Sequence, residues 1–235
     1  MKTIALVLVF LPACFAQQAQ LNFGGTITGG LAGDDGSIVV GGYVSLLLSP
    51  PYQSKRPQQR EWAAYSKADG TFEFDGLTGG TYKLCVQVPG STWLDPCDWG
   101  LQPPVLALSS AQPTASAAIV LTKGAAVPIR VDDPTGSLAQ NEGVTAGAQL
   151  LLGVGHAPYM FDTAMLTSQD ANGRNYTIVI PFGYAAKLVV LSSFFSLTNA
   201  AGAALPKTAT TIPILVPIGQ QAATILLTVT GGGAQ

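Results

Sequence analysis

Residues 85–100 read CVQVPGSTWLDPCDWG and hold the densest set of side chains with binding chemistry. Trp93 and Trp99 offer flat indole faces on which the C–H groups of a sugar can stack, and Asp95 and Asp98 offer carboxylates that accept hydrogen bonds from hydroxyls. Cys85 and Cys97 bracket the stretch with eleven residues between them. In an exported chain the pair reads as a disulfide, with free or metal-bound thiols as the alternatives. Trp93, Asp95, Asp98 and Trp99 are therefore the candidate ligand-binding set. The opposing reading is that both indoles pack, anchoring a loop folded over an open sheet edge.

Other chemistries find less support. His156, in GVGHAPY, is the single histidine of the chain and reads as a loop residue rather than a catalyst. A zinc site built from His and Cys needs more ligands than this. The serine-hydrolase elbow G-x-S-x-G does not occur. Asp34–Asp35 and Asp132–Asp133 offer oxygen ligands to calcium, but neither pair lies in an EF-hand loop, and aspartates beside Gly or Pro commonly form turns. Asp133-Pro-Thr-Gly136 reads as such a turn, and Asn175-Tyr-Thr177 fits the N-glycosylation pattern. No catalytic residue, metal or cofactor is expected.

The elements that would position these residues are strands. The 235 residues are 48% hydrophobic and only 10% charged, and mean hydropathy is +0.36. No long segment of 3.6-residue period is present, while Gly, Ala, Thr and Val abound. The first residues, MKTIALVLVFLPACFAQ, combine a basic end, a short apolar run and small residues, which reads as a signal peptide cleaved after Ala16. Leu11–Cys14 loosely resembles a lipoprotein box, with Pro12 out of place; the simpler reading removes Cys14 with the signal. The run is too short to span a membrane. Without Lys2 the chain carries ten basic and thirteen acidic residues, and no basic stripe exists to neutralise a nucleic-acid backbone.

Strict alternation appears in YSKADGTFEFDGLTGGTYKLCVQV, residues 65–88. Phe72 and Phe74 face one way in the first run; Tyr82, Leu84, Val86 and Val88 share a face in the second, with Cys85 on the opposite one. Ala68-Asp-Gly70 marks a hairpin. Candidate strands fall near 23–29, 37–48, 60–67, 71–75, 80–88, 104–109 and 116–123, with a Pro-rich connection at 50–60. A second series falls near 125–131, 145–152, 159–168, 174–180, 186–192, 210–216 and 222–230. In it Ser168 answers Ser66, Gly173 answers Gly70, and Tyr176 and Ile178 answer Phe72 and Phe74. The spacing implies two similar β-sandwiches in tandem.

The first half resembles the carboxypeptidase regulatory-like domain, of transthyretin-like fold, over residues 22–122. Gly70, Phe72, Phe74, Leu77, Gly80, Tyr82 and Leu84 occupy the places of that family's motif, and Ser66 stands where Thr is common. The stretch SIVVGGYV departs from the usual pattern. The resemblance implies a non-catalytic module that packs beside an enzyme, extends a receptor or stands in arrays on exported proteins; some relatives in the wider fold are grouped with starch-binding-like domains. Enzymes of related topology need histidines that this chain lacks.

The expectation is thus an all-β chain of two tandem Greek-key sandwiches, transthyretin-like, after a signal peptide at 1–16. The first would span 22–123, the second 124–230, and 231–235 would be a loose tail. The implied role is an exported structural or protein-interaction module, secreted, periplasmic or at the cell surface, without a transmembrane span. Its partner would be an unknown protein or, in the alternative, a polysaccharide bound by the Cys85–Cys97 loop.

Overall fold

The structure is a computed structural model that describes residues 24–49, 61–99, 101–156, 160–206 and 210–232. Residues 1–16, expected to be a signal peptide and including Cys14, and the 50–60 connection lie outside the described residues. The first series of strands is β1 (Gly25–Gly33), β2 (Tyr43–Ser49), β3 (Glu61–Tyr65), β4 (Thr71–Leu77), β5 (Gly80–Gln87), β6 (Val105–Leu108) and β7 (Thr114–Leu121). They form a three-stranded sheet in the order β4-β1-β7 and a four-stranded sheet in the order β3-β2-β5-β6. One core lies between the two sheets, from Ile27 to Leu121.

Alternation places the core as expected. Phe72, Phe74, Tyr82, Leu84 and Val86 are all buried. Burial of each such side chain contributes about 1.5–3 kcal/mol. Tyr82 is fully enclosed, and its hydroxyl donates to the Thr78 carbonyl at 2.8 Å, in the Gly-rich break between β4 and β5. Gly70, at φ 78°, closes the β3–β4 turn in a conformation that costs other residues strain.

The second series is β8 (Ala125–Asp132), α1 (Ser137–Asn141), β9 (Leu151–His156), β10 (Met160–Thr163), β11 (Met165–Asp170), β12 (Gly173–Ile180), β13 (Ala186–Leu191), β14 (Phe195–Asn199), β15 (Ala204–Leu205), β16 (Thr210–Ile214) and β17 (Ile225–Gly232). Its four-stranded sheet, β10-β9-β13-β16, repeats the order of the first. Its other sheet, β11-β12-β8-β17-β14-β15, contains the triplet β12-β8-β17, matching β4-β1-β7. In both triplets the first and last strands of the series run parallel, and the outer pair is antiparallel. The register matches too. Phe74 and Phe72 stand opposite Ile27 and Gly29, while Ile178 and Tyr176 stand opposite Val127 and Ile129. A second core, from Ala125 to Val229, fills this sandwich.

The structure departs from the sequence reading at several places. The 37–48 segment is strand only from Tyr43, with Gly41 at φ 71° in the turn before it. Residues 145–150 are not strand, and a helical turn precedes them. Asp133 starts that turn: its carboxylate accepts from the Ser137 and Leu138 amides at 2.8 Å, and Leu138 is buried. The 159–168 segment divides into β10 in one sheet and β11 in the other. Ser168 does not play the part of Ser66. Ser66 is buried, accepting from the Gly42 amide and donating to the Val39 carbonyl, whereas Ser168 lies exposed on the added strand β11. The unexpected strands β14 and β15 extend the second sandwich beyond β17, which itself runs on through Gly231 and Gly232. His156 closes β9, paired opposite Met160 across the hairpin.

Candidate functional site

The loop after β5 is fixed from within. Cys85 lies on the face of its sheet away from the core, opposite Ser45, and is bonded to Cys97 with 5.3 Å between their Cα atoms. The loop covers Cys85, which is buried without joining the core cluster. Asp95 completes the knot. Its Oδ1 accepts from the Cys97 amide at 2.8 Å and the Val86 amide at 3.2 Å. Burial pushes its carboxyl above the usual range; these hydrogen bonds oppose the shift, and the charge of Asp162 adds to it. The Asp95 carboxylate and both sulfurs gather within 4.8 Å. Bonded to each other, the sulfurs offer no thiolate to a metal.

The same loop then crosses to the segment that leaves β7. The Leu94 amide donates to the Thr122 carbonyl at 3.0 Å, and the Gly124 amide donates to the Thr92 carbonyl at 2.7 Å. Trp93 and Lys123 form an antiparallel bridge between them. Residues 92–94 thus act as a short strand on the edge of the link between the sandwiches.

Trp93 is half-buried against the first core and lies over Gly33, where an added Cβ would run into the indole. The Lys123 ammonium stands 4.9 Å from the ring centroid and reaches Asp35 Oδ2 at 2.6 Å. This ammonium, with the Ser37 hydroxyl and amide, holds the Asp35 carboxyl well below the usual range. Asp34 accepts from the Lys123 amide at 3.3 Å. The two aspartates therefore fasten a turn to the interdomain link. Asp132 pairs with Arg130, and its neighbour Asp133 caps the helical turn.

Trp99 packs on the second core instead. Its ring meets Tyr184 edge-on, with centroids 5.6 Å apart at 77°. Trp62 makes a similar edge contact with Tyr82 in the first core. One loop thus plants an indole on each sandwich.

Between these anchors is a cleft of about 460 Å³. Trp93, Asp95, Asp98 and Trp99 all line it, so the four residues singled out in the sequence converge. The facing wall comes from the second sandwich, with Asp162, Met165, Thr167, Thr177 and Val179. Among the described residues, the lining has no histidine, lysine or arginine. The lining combines apolar and aromatic side chains with the carboxylates of Asp95, Asp98 and Asp162. Lys123, Gly33, Tyr184 and Asp162 were not legible as site residues, because nothing local in the sequence says which segment the loop meets.

No family model matches the chain, and no curated protein matches it either. Solved structures are similar at low identity. A streptococcal ancillary pilin is 10% identical with a TM-score of 0.41, over 86% of this chain and 62% of that one. The chain therefore spans about three fifths of that pilin. A minor pilin of Streptococcus agalactiae is 9% identical with a TM-score of 0.39, covering 87% of this chain and 95% of that one. A putative carbohydrate binding protein from Pseudomonas aeruginosa is 21% identical with a TM-score of 0.26, covering 45% of this chain and 92% of that one.

Proposed function

We propose that the chain is an exported, non-catalytic structural module in which the Cys85–Cys97 loop locks two β-sandwiches together and the outer surfaces meet partner proteins. The observation that carries this is how the loop's side chains are engaged. Trp93 sits on Gly33 beneath Lys123, Trp99 sits on Tyr184, and Asp95 holds two amides of its own loop. The motif positions shared with carboxypeptidase regulatory-like domains agree with a scaffold role, since Phe72, Phe74, Leu77, Tyr82 and Leu84 are all core residues. Export, with residues 1–16 removed, is consistent with an intact disulfide.

Calorimetry tests this reading. Two sandwiches coupled through the loop melt in one transition. Trp93→Ala/Trp99→Ala separates the melting into two, one for each core. Separate transitions already present in the wild type would contradict the coupling.

The cleft favours one second reading, a saccharide bound between Trp99, Asp98 and the Asp162 wall. A glycan array probed with residues 17–235 distinguishes it. Binding lost in a folded Trp93→Ala/Trp99→Ala variant supports the saccharide, and silence from the folded wild type removes it.

A further inference from the structure

The two sandwiches differ in how they finish one sheet. In the second, β17 has β8 on one side and β14 on the other, antiparallel. In the first, the equivalent strand β7 pairs with β1 alone, and no strand covers its far edge among the described residues. The 92–94 bridge occupies that edge only beyond Leu121, at residues 122–124.

The open stretch is TASAAIVL, residues 114–121. It contains no Gly, Pro or charge, and its pairing with β1 has no bulge. Those are the devices by which sheet edges are usually blunted. Three other edges carry them, and the uncharged edge β6 is only four residues long. β4 presents Glu73 and Asp75, β11 is bulged between Leu166 and Ser168, and β16 contains Pro213.

Which groups are free follows from the ladder. The Pro113 and Leu121 carbonyls accept from Thr26 and Asp34, on the β1 side. Alternation then turns the N–H and C=O groups of Thr114, Ser116, Ala118 and Val120 outward. The Thr122 carbonyl, which accepts from Leu94 on that outer side, has the same parity.

We propose that β7 pairs antiparallel with β7 of a second copy of this chain, joining two β4-β1-β7 sheets into one of six strands about a two-fold axis at Ala117. A two-fold makes identical strands antiparallel, the direction in which β14 covers β17. With Thr122 already engaged, the register that uses every free group sets Thr114 opposite Val120 of the second copy and Ser116 opposite Ala118. Four N–H and four C=O groups on each strand are then satisfied. The side chains fit this register. Half-buried Ala115 comes beside the larger Ile119, Ala117 meets itself, and exposed Val120 gains Thr114 as a neighbour. The strand is uncharged, so no like charges face each other across the axis.

The proposal rests on reading the chain as a structural module, and the two fail separately: melting reports the loop, and mass reports β7. Sedimentation of residues 17–235 over a dilution series is expected to show reversible passage from one to two chain equivalents. Ala118→Pro removes an outward N–H that the β1 ladder does not use, so the fold is retained. It deletes one hydrogen bond at each of two symmetric positions, and dimerisation weakens by roughly thirtyfold. Independently, Ala117→Cys crosslinks to its symmetry mate under oxidation, because the two Cα atoms lie about 4.5 Å apart in a non-hydrogen-bonded pair. Ala115→Cys does not. One chain equivalent at every concentration overturns the proposal, and so does a dimer that neither Ala118→Pro weakens nor Ala117→Cys traps.

Discussion

The Lys123 ammonium lies 4.9 Å from the centroid of the Trp93 ring, at the point where the chain leaves the first sandwich for the second. It also pairs with Asp35 in the turn after β1. One residue of the link is thereby tied to the cysteine loop and to the first sheet. A cation over an indole contributes about 0.5–1 kcal/mol where exposed. The larger effect is geometric, since the indole rests on Gly33.

Gly33→Ala is expected to force the Trp93 ring off its seat. Overpacking of this kind costs about 1–3 kcal/mol. Denaturant melts followed by tryptophan fluorescence would show the loss, with emission shifted to the red as the indole meets water. An unchanged midpoint and spectrum would refute the packing.

Cys85→Ser/Cys97→Ser is expected to lower the stability of the first sandwich by about 3 kcal/mol, from release of the loop closed across a sequence separation of 12. Amides of residues 86–99 would also exchange faster. Chemical denaturation of the oxidised and mutant chains checks the first effect, and hydrogen exchange the second.

Ser66→Ala leaves the buried Gly42 amide and Val39 carbonyl without their partner. A loss of about 1–3 kcal/mol is expected. Ser168→Ala, at the exposed position that matches it in sequence, is expected to leave the denaturation midpoint nearly unchanged.

Two aspartates are expected to act on stability with opposite sign. The Arg130 guanidinium, followed by the Asn172 amide, holds the Asp170 carboxyl at about 2, below its ordinary 3.8. The folded state releases this proton more readily than the unfolded chain. The stabilisation is therefore present above pH 4 and disappears as pH falls towards 2, where Asp170→Asn and wild type should converge. Asp95 is shifted upward, chiefly by burial, so folding takes up its proton and its contribution becomes less favourable as pH rises above the ordinary carboxylate range. Asp95→Asn keeps an acceptor for the two amides without a buried charge. It is expected to be no less stable than wild type at pH 7, with any advantage shrinking towards pH 4. Denaturation series across this range test both.

Much of the fold was legible because a period of two is a local signal. Phe72 and Phe74, and Tyr176 and Ile178 a hundred residues later, occupy corresponding register positions. The pairing of Ser66 with Ser168 misled because an inserted strand intervenes, and insertions leave local composition unaltered. β14 lies outside the expected strands although Phe195 and Leu197 are buried and alternate with Ser196 and Thr198, since no Gly or Pro turn between it and β13 marks its start. At the site, the indoles and carboxylates singled out in the sequence all line one cleft, but their roles depend on what they touch. That Trp93 meets Lys123 and Trp99 meets Tyr184 is a long-range fact set by the packing of two sandwiches.

The most direct test of the central claim is the distance between the sandwiches, measured by pulsed electron resonance between spin labels at Glu73→Cys on β4 and Lys187→Cys on β13. A loop that locks the two domains predicts a narrow distribution in the native background. In Trp93→Ala/Trp99→Ala, with both cores still folded, the distribution should become broad. An equally narrow distribution in both would contradict the account and free the tryptophans for another role.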